Sequence, residues 1–76
     1  METKDRVIKT FSEIFNVDVQ QIKLTDTMED IESWDSIGHL QLIMSIESMF
    51  GIKLNTEEVL QINSVEKCVD IVSKHL

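Results

Sequence analysis

Proline is absent from this chain of 76 residues, and glycine occurs only at Gly38 and Gly51. Sheets joined by tight turns need several residues of these two types, whereas helix interiors disfavour both. The hydrophobic fraction of 42% is enough for one small core. We therefore expect a single all-α domain over residues 1–76.

Apolar residues recur at helical spacing in two long segments of the first two-thirds of the chain. Between residues 3 and 15 they fall at i, i+1, i+4, i+7 and i+8, which predicts an amphipathic helix that Asn16 can end. A second helix is predicted over residues 36–50, with Ser36 as its N-cap and Gly51 as its C-terminal stop.

The segment 17–33 between these helices is long and irregular. Val19, Ile22 and Leu24 are expected to anchor it to the core, with one helical turn around residues 19–22. Its second half and the residues after it contain a cluster of acidic residues: Asp26, Glu29, Asp30, Glu32 and Asp35. They lack the alternating ligand spacing and the central glycine of an EF-hand, so no metal site is predicted beyond weak cation association.

Two shorter helices are predicted near the C-terminus. Asn55 and Glu58 have the spacing of a capping box and open a short helix. Asn63 or Ser64 caps the last helix, and Asn63 again has capping-box spacing with Glu66. Its apolar stripe comprises Val65, Cys68, Val69, Val72 and Leu76. The predicted fold is a small four-helix bundle with a long first loop and a short third helix.

Charge and composition exclude several classes of protein. The net charge of −7, from 14 acidic against 7 basic residues, would repel nucleic acid. This negative charge either keeps the domain soluble or attracts partner proteins that carry basic patches. No apolar run approaches the roughly 20 residues of a membrane span, no signal-peptide pattern opens the chain, and one cysteine excludes an internal disulfide. A soluble monomer in the cytoplasm is expected.

The predicted second helix is apolar on two opposite sides. One arc is a core stripe, formed by Leu42, Ile43, Ile46, Met49 and Phe50. Ile37, Leu40 and Met44 lie almost opposite, so this side is either wrapped by neighbouring helices or kept for a partner. We favour the partner, with Leu40 as the member expected to be partly buried. The core candidates are Phe11, Phe15, Ile46, Phe50, Val69 and Val72.

Ser36 carries the strongest chemical signal. A serine at a helix start is most often only a cap. Asp35, however, places a carboxylate beside the hydroxyl, and a phosphodiester formed there would lie at a helix N-terminus that favours anions. A hydrolase triad of Ser36, His39 and Asp35 is disfavoured, because all three lie on one turn without an oxyanion hole or a glycine-rich elbow.

The tripeptide Asp35-Ser36-Ile37 resembles the Asp-Ser-Leu signature of acyl and peptidyl carrier proteins. The resemblance covers essentially the whole chain. It includes the opening amphipathic helix, the long acidic loop and the segments 46–51, 56–58 and 62–65. A signature of this length is weak alone but strong in a chain of carrier-protein length with every other element in place.

The resemblance implies a carrier and not an enzyme. A phosphopantetheinyl transferase, using coenzyme A and a magnesium ion, would esterify Ser36 with 4′-phosphopantetheine. The thiol of this arm would then hold acyl or aminoacyl groups as thioesters for acyl- or aminoacyl-activating and transfer enzymes. By the same analogy, the helix after the serine is the docking surface, and its partner-binding positions are Ile37, Leu40, Gln41, Met44 and Glu47.

The chain departs from the carriers of bacterial fatty acid synthesis. Those carriers have an acidic residue two places after the serine and further acids along the helix. The corresponding positions here are Gly38, Gln41, Ser48 and Met49, which leaves Glu47 as the main acid. Enzymes that bind an acidic helix through arginine and lysine should therefore bind this chain more weakly than they bind those carriers. A glycine in a helix also costs on the order of 1 kcal/mol relative to alanine, which a close approach to a partner would explain.

The pattern around Trp34 is more like that of specialised carriers. Polyketide, nonribosomal peptide, D-alanyl-transfer and saccharide-modification systems use such carriers, so a dedicated pathway is expected, with the cargo left open. Trp34 is expected to pack the end of the loop over the bundle and fix Ser36, and Cys68 to be buried. The alternative hypothesis is a small acidic helical adaptor that binds a partner and bears no arm.

Overall fold

The computed structural model describes residues 2–76, which form four α-helices and one short 3-10 turn. In chain order these are α1 (Thr3–Phe15), the 3-10 turn (Val19–Gln21), α2 (Ser36–Phe50), α3 (Thr56–Gln61) and α4 (Val65–His75). Helix α1 packs against both α2 and α4. The predicted small four-helix bundle with a long first loop and a short third helix is confirmed.

Local sequence signals set the ends of the helices. Asn16 ends α1 in the left-handed conformation, at φ 56°, and its N–H donates to the Ser12 carbonyl. Asn55 and Glu58 form the predicted capping box of α3 in both directions. Helix α4 is capped by Ser64, whose hydroxyl accepts from the Lys67 N–H at 3.1 Å. Of the two predicted caps for α4, Ser64 is therefore the correct one.

One continuous core joins α1, α2, α4 and the long loop. Its most completely buried side chains are Val7, Phe11, Trp34, Leu42, Ile46, Ile62, Val65, Cys68 and Val72. The core predictions for Phe11, Phe15, Ile46 and Val72 are confirmed. Phe50 and Val69 are only partly buried and pack at the edge of this core. Leu76, predicted on the apolar stripe of α4, is exposed.

The acidic loop is ordered by its own carboxylates. Asp18, Asp26 and Asp30 each accept a backbone N–H two or three residues away, at 2.9 Å in every case. These bonds satisfy backbone groups that a loop would otherwise leave unpaired. The density of aspartate in this segment is therefore explained by turn formation.

Two backbone hydrogen bonds attach the loop to the beginning of α4. The N–H groups of Val65 and Glu66 donate to the carbonyls of Asp26 and Leu24, at 3.0 and 2.9 Å. Ile22 is buried and Leu24 packs on the core, as predicted. Val19 was predicted as a third anchor but is 46% exposed. It begins the 3-10 turn, which confirms the helical turn expected there.

No helix among residues 2–76 is both long enough and apolar enough to cross a membrane.

Candidate functional site

Helix α2 is capped by Asp35 and not by Ser36. The backbone of Asp35 is extended, and its Oδ1 accepts from the Gly38 N–H at 2.8 Å. Its carbonyl accepts from the His39 N–H at 2.7 Å. The prediction that Ser36 is the N-cap is therefore wrong. The aspartate one position earlier takes the amide that a cap must satisfy, and Ser36 becomes the first helical residue.

Because Asp35 caps the helix, the Ser36 hydroxyl is not needed for capping. Ser36 is exposed, and no hydrogen bond within residues 2–76 uses its side-chain oxygen. The N–H groups of Ser36 and Ile37 belong to the first turn, where a helix offers no acceptor of its own. An anionic substituent on the hydroxyl would therefore meet free donors and the positive end of the helix dipole. A phosphodiester fits this position without displacing any contact.

Gly38 allows the loop and α1 to approach the start of α2. The residue is buried, and a Cβ at this position would lie 2.6 Å from the Ser33 carbonyl oxygen and 2.9 Å from Cε1 of Phe15. The sequence had suggested that a partner makes this close approach. The structure corrects this interpretation, because the backbone and ring that come close belong to the chain itself.

Trp34 seals the end of the loop against the bundle, as predicted. It is 1% exposed, and its ring lies edge-on to Phe11 and stacked on Phe15, with centroid distances of 5.0 and 5.9 Å. Its indole Nε1–H donates to Nδ1 of His39 at 2.9 Å. The residue two positions before Ser36 is thereby fixed both by packing and by a hydrogen bond.

His39 bridges the loop and α3. Its Nδ1 receives the indole N–H of Trp34, and its Nε2 lies 2.9 Å from the Val59 carbonyl oxygen. Both ring nitrogens are therefore occupied by groups other than Ser36. The carboxylate of Asp35 is likewise used as a helix cap. His39 is therefore not paired with Ser36, and the serine–histidine contact that a hydrolase triad requires is not formed.

The second apolar stripe of α2 is largely exposed to solvent. Ile37, Leu40 and Met44 are 70%, 61% and 66% exposed. Leu40 was predicted to be partly buried, but it is exposed like the other two. Gln41 is also exposed. Of the predicted core stripe on the opposite side, Leu42, Ile43 and Ile46 are buried, whereas Met49 is 37% exposed.

Glu47, the only acidic residue of α2, has a structural contact. It is half-buried, and its Oε2 accepts from the Leu54 N–H at 2.9 Å. This bond holds the connection between α2 and α3. The sequence analysis missed it, although the segment after Gly51 needs acceptors for its amides. The exposed surface of α2 therefore carries little negative charge, since the one carboxylate of this helix is half-buried and is bonded through Oε2.

Arg6 fastens the end of α2 to α1. Its guanidinium lies 4.5 Å from the centroid of the Phe50 ring and donates to the Met49 carbonyl at 3.2 Å. A cation at the C-terminal end of a helix is favourable because the last carbonyls there are partly negative. This contact was not predicted, since nothing in the local pattern connects residues so distant in the sequence.

Cys68 is fully buried, as predicted, and it is a free thiol. Burial raises its pKa to about 12, because the thiolate would lose its hydration. Within residues 2–76 there is no group of three or more histidine, cysteine or acidic side chains that could hold a metal ion.

Comparison with known proteins identifies the family. A family model described as a phosphopantetheine attachment site matches residues 5–72. The acyl carrier protein of Buchnera aphidicola subsp. Schizaphis graminum (strain Sg) is 32% identical over 68 residues, which cover 90% of this chain and 86% of the relative. The acyl carrier protein of Petrotoga mobilis is 32% identical over 78 residues, which cover 97% and 92%.

The fold agrees with these matches. A solved structure from Mycobacterium tuberculosis, described as an acyl carrier protein, superposes with a TM-score of 0.89 at 21% identity. The superposition covers 99% of this chain and 100% of the other, and at this identity it supports the fold alone. The matches favour the carrier hypothesis over an adaptor without an arm.

Proteins of this family are carriers and not catalysts, and their covalently attached cofactor is 4′-phosphopantetheine. The site fits such a group, since the first turn of α2 presents an exposed hydroxyl beside free backbone donors. Because the family match spans residues 5–72 and the sequence relatives cover most of the chain, this protein belongs to the phosphopantetheine-dependent carrier protein family.

Proposed function

We propose that this carrier bears its arm on Ser36 and holds acyl or aminoacyl groups as thioesters for the enzymes of one dedicated pathway. The observation that supports Ser36 is its exposed hydroxyl, which has no hydrogen-bond partner within the described residues. Asp35 removes the need for the serine to cap the helix. The hydroxyl can therefore be esterified without loss of a structural contact. We expect the protein to act as a monomer in the cytoplasm.

The attachment step is a phosphoryl-type transfer from coenzyme A. The Oγ of Ser36 forms a bond to the phosphorus that bears the pantetheine group. The bond from this phosphorus to the adenosine bisphosphate part of coenzyme A breaks, and that part leaves. The hydroxyl proton passes to a base of the phosphopantetheinyl transferase. Oδ1 of Asp35 caps the helix, so its other oxygen, Oδ2, is the one that can approach the metal ion of the transferase.

We place the docking surface of partner enzymes on the exposed side of α2. The supporting observation is the exposure of Ile37, Leu40 and Met44, an apolar stripe in the same helix as Ser36. Gln41 lies among them and supplies a polar contact. Glu47 belongs to this set of predicted positions, but its carboxylate is already bonded to Leu54. It therefore acts mainly by holding the end of the surface in shape.

The chemistry of this surface supports a dedicated pathway. With Glu47 as its one acidic residue, α2 offers few charged contacts to enzymes that bind their carrier through arginine and lysine. Its partners should instead present an apolar surface to Ile37, Leu40 and Met44. Contacts of this kind depend weakly on salt, because screening acts on charges. The acyl- or aminoacyl-loading and transfer enzymes of one pathway would share such a surface.

Intact mass tests the attachment site. The protein is incubated with coenzyme A, Mg²⁺ and a broad-specificity phosphopantetheinyl transferase, and its mass is measured. An increase of one phosphopantetheinyl group is expected for the wild type and for Ser48→Ala, an exposed serine of the same helix. Ser36→Ala should show none. Modification of Ser36→Ala would place the arm elsewhere, and an unmodified wild type would favour the adaptor.

A further inference from the structure

Both histidines of the chain contact the short helix α3. His39, on α2, lies 2.9 Å from the Val59 carbonyl oxygen through its Nε2. His75, at the end of α4, lies 2.8 Å from Oε2 of Glu58. Helix α3 itself has no fully buried side chain. Val59 packs against the core and Ile62, at the C-terminal end of α3, is buried, and the two histidine contacts add polar attachments to α2 and α4.

The partners of His39 determine its protonation state. The indole Nε1–H of Trp34 can only donate, so Nδ1 of His39 must accept and carry no proton. The carbonyl of Val59 can only accept, so Nε2 must carry the proton. The two contacts are satisfied together by one species alone. This species is the neutral imidazole with its proton on Nε2.

The resulting chain of contacts spans the serine. Trp34, two residues before Ser36, is held by Phe11 and Phe15 and donates to His39, three residues after it. His39 in turn donates to α3 through Val59. The turn that presents Ser36 is thus connected to α3 through a single side chain.

We propose that neutral His39 is a positioning residue that couples α3 to the turn presenting Ser36. Only the importance of that turn rests on the proposed function. The coupling itself rests on the contacts of Trp34, His39 and Val59. Loss of the imidazole contact would leave α3 and the turn to move independently.

Nuclear magnetic resonance of histidine labelled with nitrogen-15 tests the tautomer. The His75→Gln variant leaves His39 as the only histidine, which removes any ambiguity of assignment. At neutral pH we expect a protonated Nε2 and an unprotonated Nδ1. A proton on Nδ1, or an average of both tautomers, would overturn the proposal. This measurement needs no arm, so its result is independent of where the arm attaches.

Hydrogen exchange at the Trp34 indole N–H and at backbone amides of α3 tests the coupling in the same His75→Gln background. Adding His39→Leu should accelerate exchange at both the Trp34 indole and the end of α3, by roughly two- to tenfold for one lost hydrogen bond. Adding His39→Gln instead should restore much of the protection at neutral pH, because an amide can accept and donate at once. Faster exchange at the indole with unchanged exchange in α3 would refute the coupling.

Discussion

Asp35 accepts the Gly38 N–H at 2.8 Å and so caps the helix that Ser36 begins. This arrangement separates the structural task from the chemical one. Asp35→Ala should destabilise the fold by about 1 kcal/mol, the usual contribution of an N-cap. Ser36→Ala should change the free energy of unfolding by less than about 0.5 kcal/mol. Urea denaturation of both variants measures the difference.

Asp35→Asn is the matched control, because an amide oxygen can also cap a helix. It should retain most of the stability lost in Asp35→Ala. A larger loss for Ser36→Ala than for Asp35→Ala would mean that the serine caps the helix after all.

Gly38→Ala should destabilise the protein although alanine is the better helix former. The added Cβ would lie 2.6 Å from the Ser33 carbonyl oxygen and 2.9 Å from the Phe15 ring. We expect a net loss of about 2 kcal/mol, since overpacking outweighs the roughly 1 kcal/mol gained in helix propensity. Urea denaturation again gives the value, and a stabilised variant would contradict the close contact.

Gly51 provides the comparison, because a Cβ there meets nothing within 4 Å. The cost at Gly51 arises from its φ of 64°. Gly51→Asn should therefore cost less than Gly51→Ala, since asparagine tolerates the left-handed region better. No such preference is expected at Gly38, where steric contact decides.

Met44→Glu should impair docking without unfolding the bundle. Met44 is 66% exposed, so a carboxylate there remains hydrated and stability should change by less than about 0.5 kcal/mol. When an apolar partner surface covers this position, the carboxylate would lose its hydration, which opposes docking. We expect roughly a tenfold fall in kcat/KM for arm attachment by a broad-specificity phosphopantetheinyl transferase.

Val19→Glu is the control for charge, because Val19 is also an exposed apolar residue but lies outside α2. It should leave the rate of attachment unchanged. Equal rates for the wild type and Met44→Glu would remove Met44 from the docking surface.

The contact between Glu58 and His75 predicts an acid-side loss of stability. A hydrogen bond from the Asn55 backbone and one from His75 lower the pKa of Glu58 below its usual value of 4.5. A lowered pKa in the folded state stabilises the protein above the unfolded-state value. This contribution is lost as the pH falls through the folded-state value.

The urea midpoints of the wild type and Glu58→Gln, measured as a function of pH, test this expectation. The difference between the two urea midpoints should be largest at neutral pH and should shrink below a pH of about 4.5. Glu57→Gln, which changes an exposed neighbour in the same turn, controls for net charge. A gap that is independent of pH would show that the carboxylate contributes nothing as an anion.

The helices were predictable because their apolar spacing and their end signals agree. Residues such as Asn16 and Gly51 mark the ends of α1 and α2 in the sequence and in the structure alike. The N-cap of α2 was wrongly assigned to Ser36, because Asp35 and Ser36 are adjacent and both are good caps. Only the three-dimensional path of the loop decides which of them reaches the Gly38 amide.

Long-range contacts escaped the sequence analysis for a physical reason. Glu47 and Arg6 bond to backbone groups whose availability depends on how the helices pack. The two contacts of His39 likewise depend on the placement of Trp34 and α3. Exposure of the Ile37, Leu40 and Met44 stripe was predictable from its angle on the helix, but the equal exposure of Leu40 was not.

The burial of Cys68 has a consequence for cargo chemistry. The chain contains one cysteine, and its thiol is enclosed with a pKa raised to about 12. It therefore presents no thiolate that could take the acyl group from a neighbouring thioester by exchange. Once the arm is attached, its terminal sulfur is the one thiol that solvent and partner enzymes can reach, so loading is confined to a single atom.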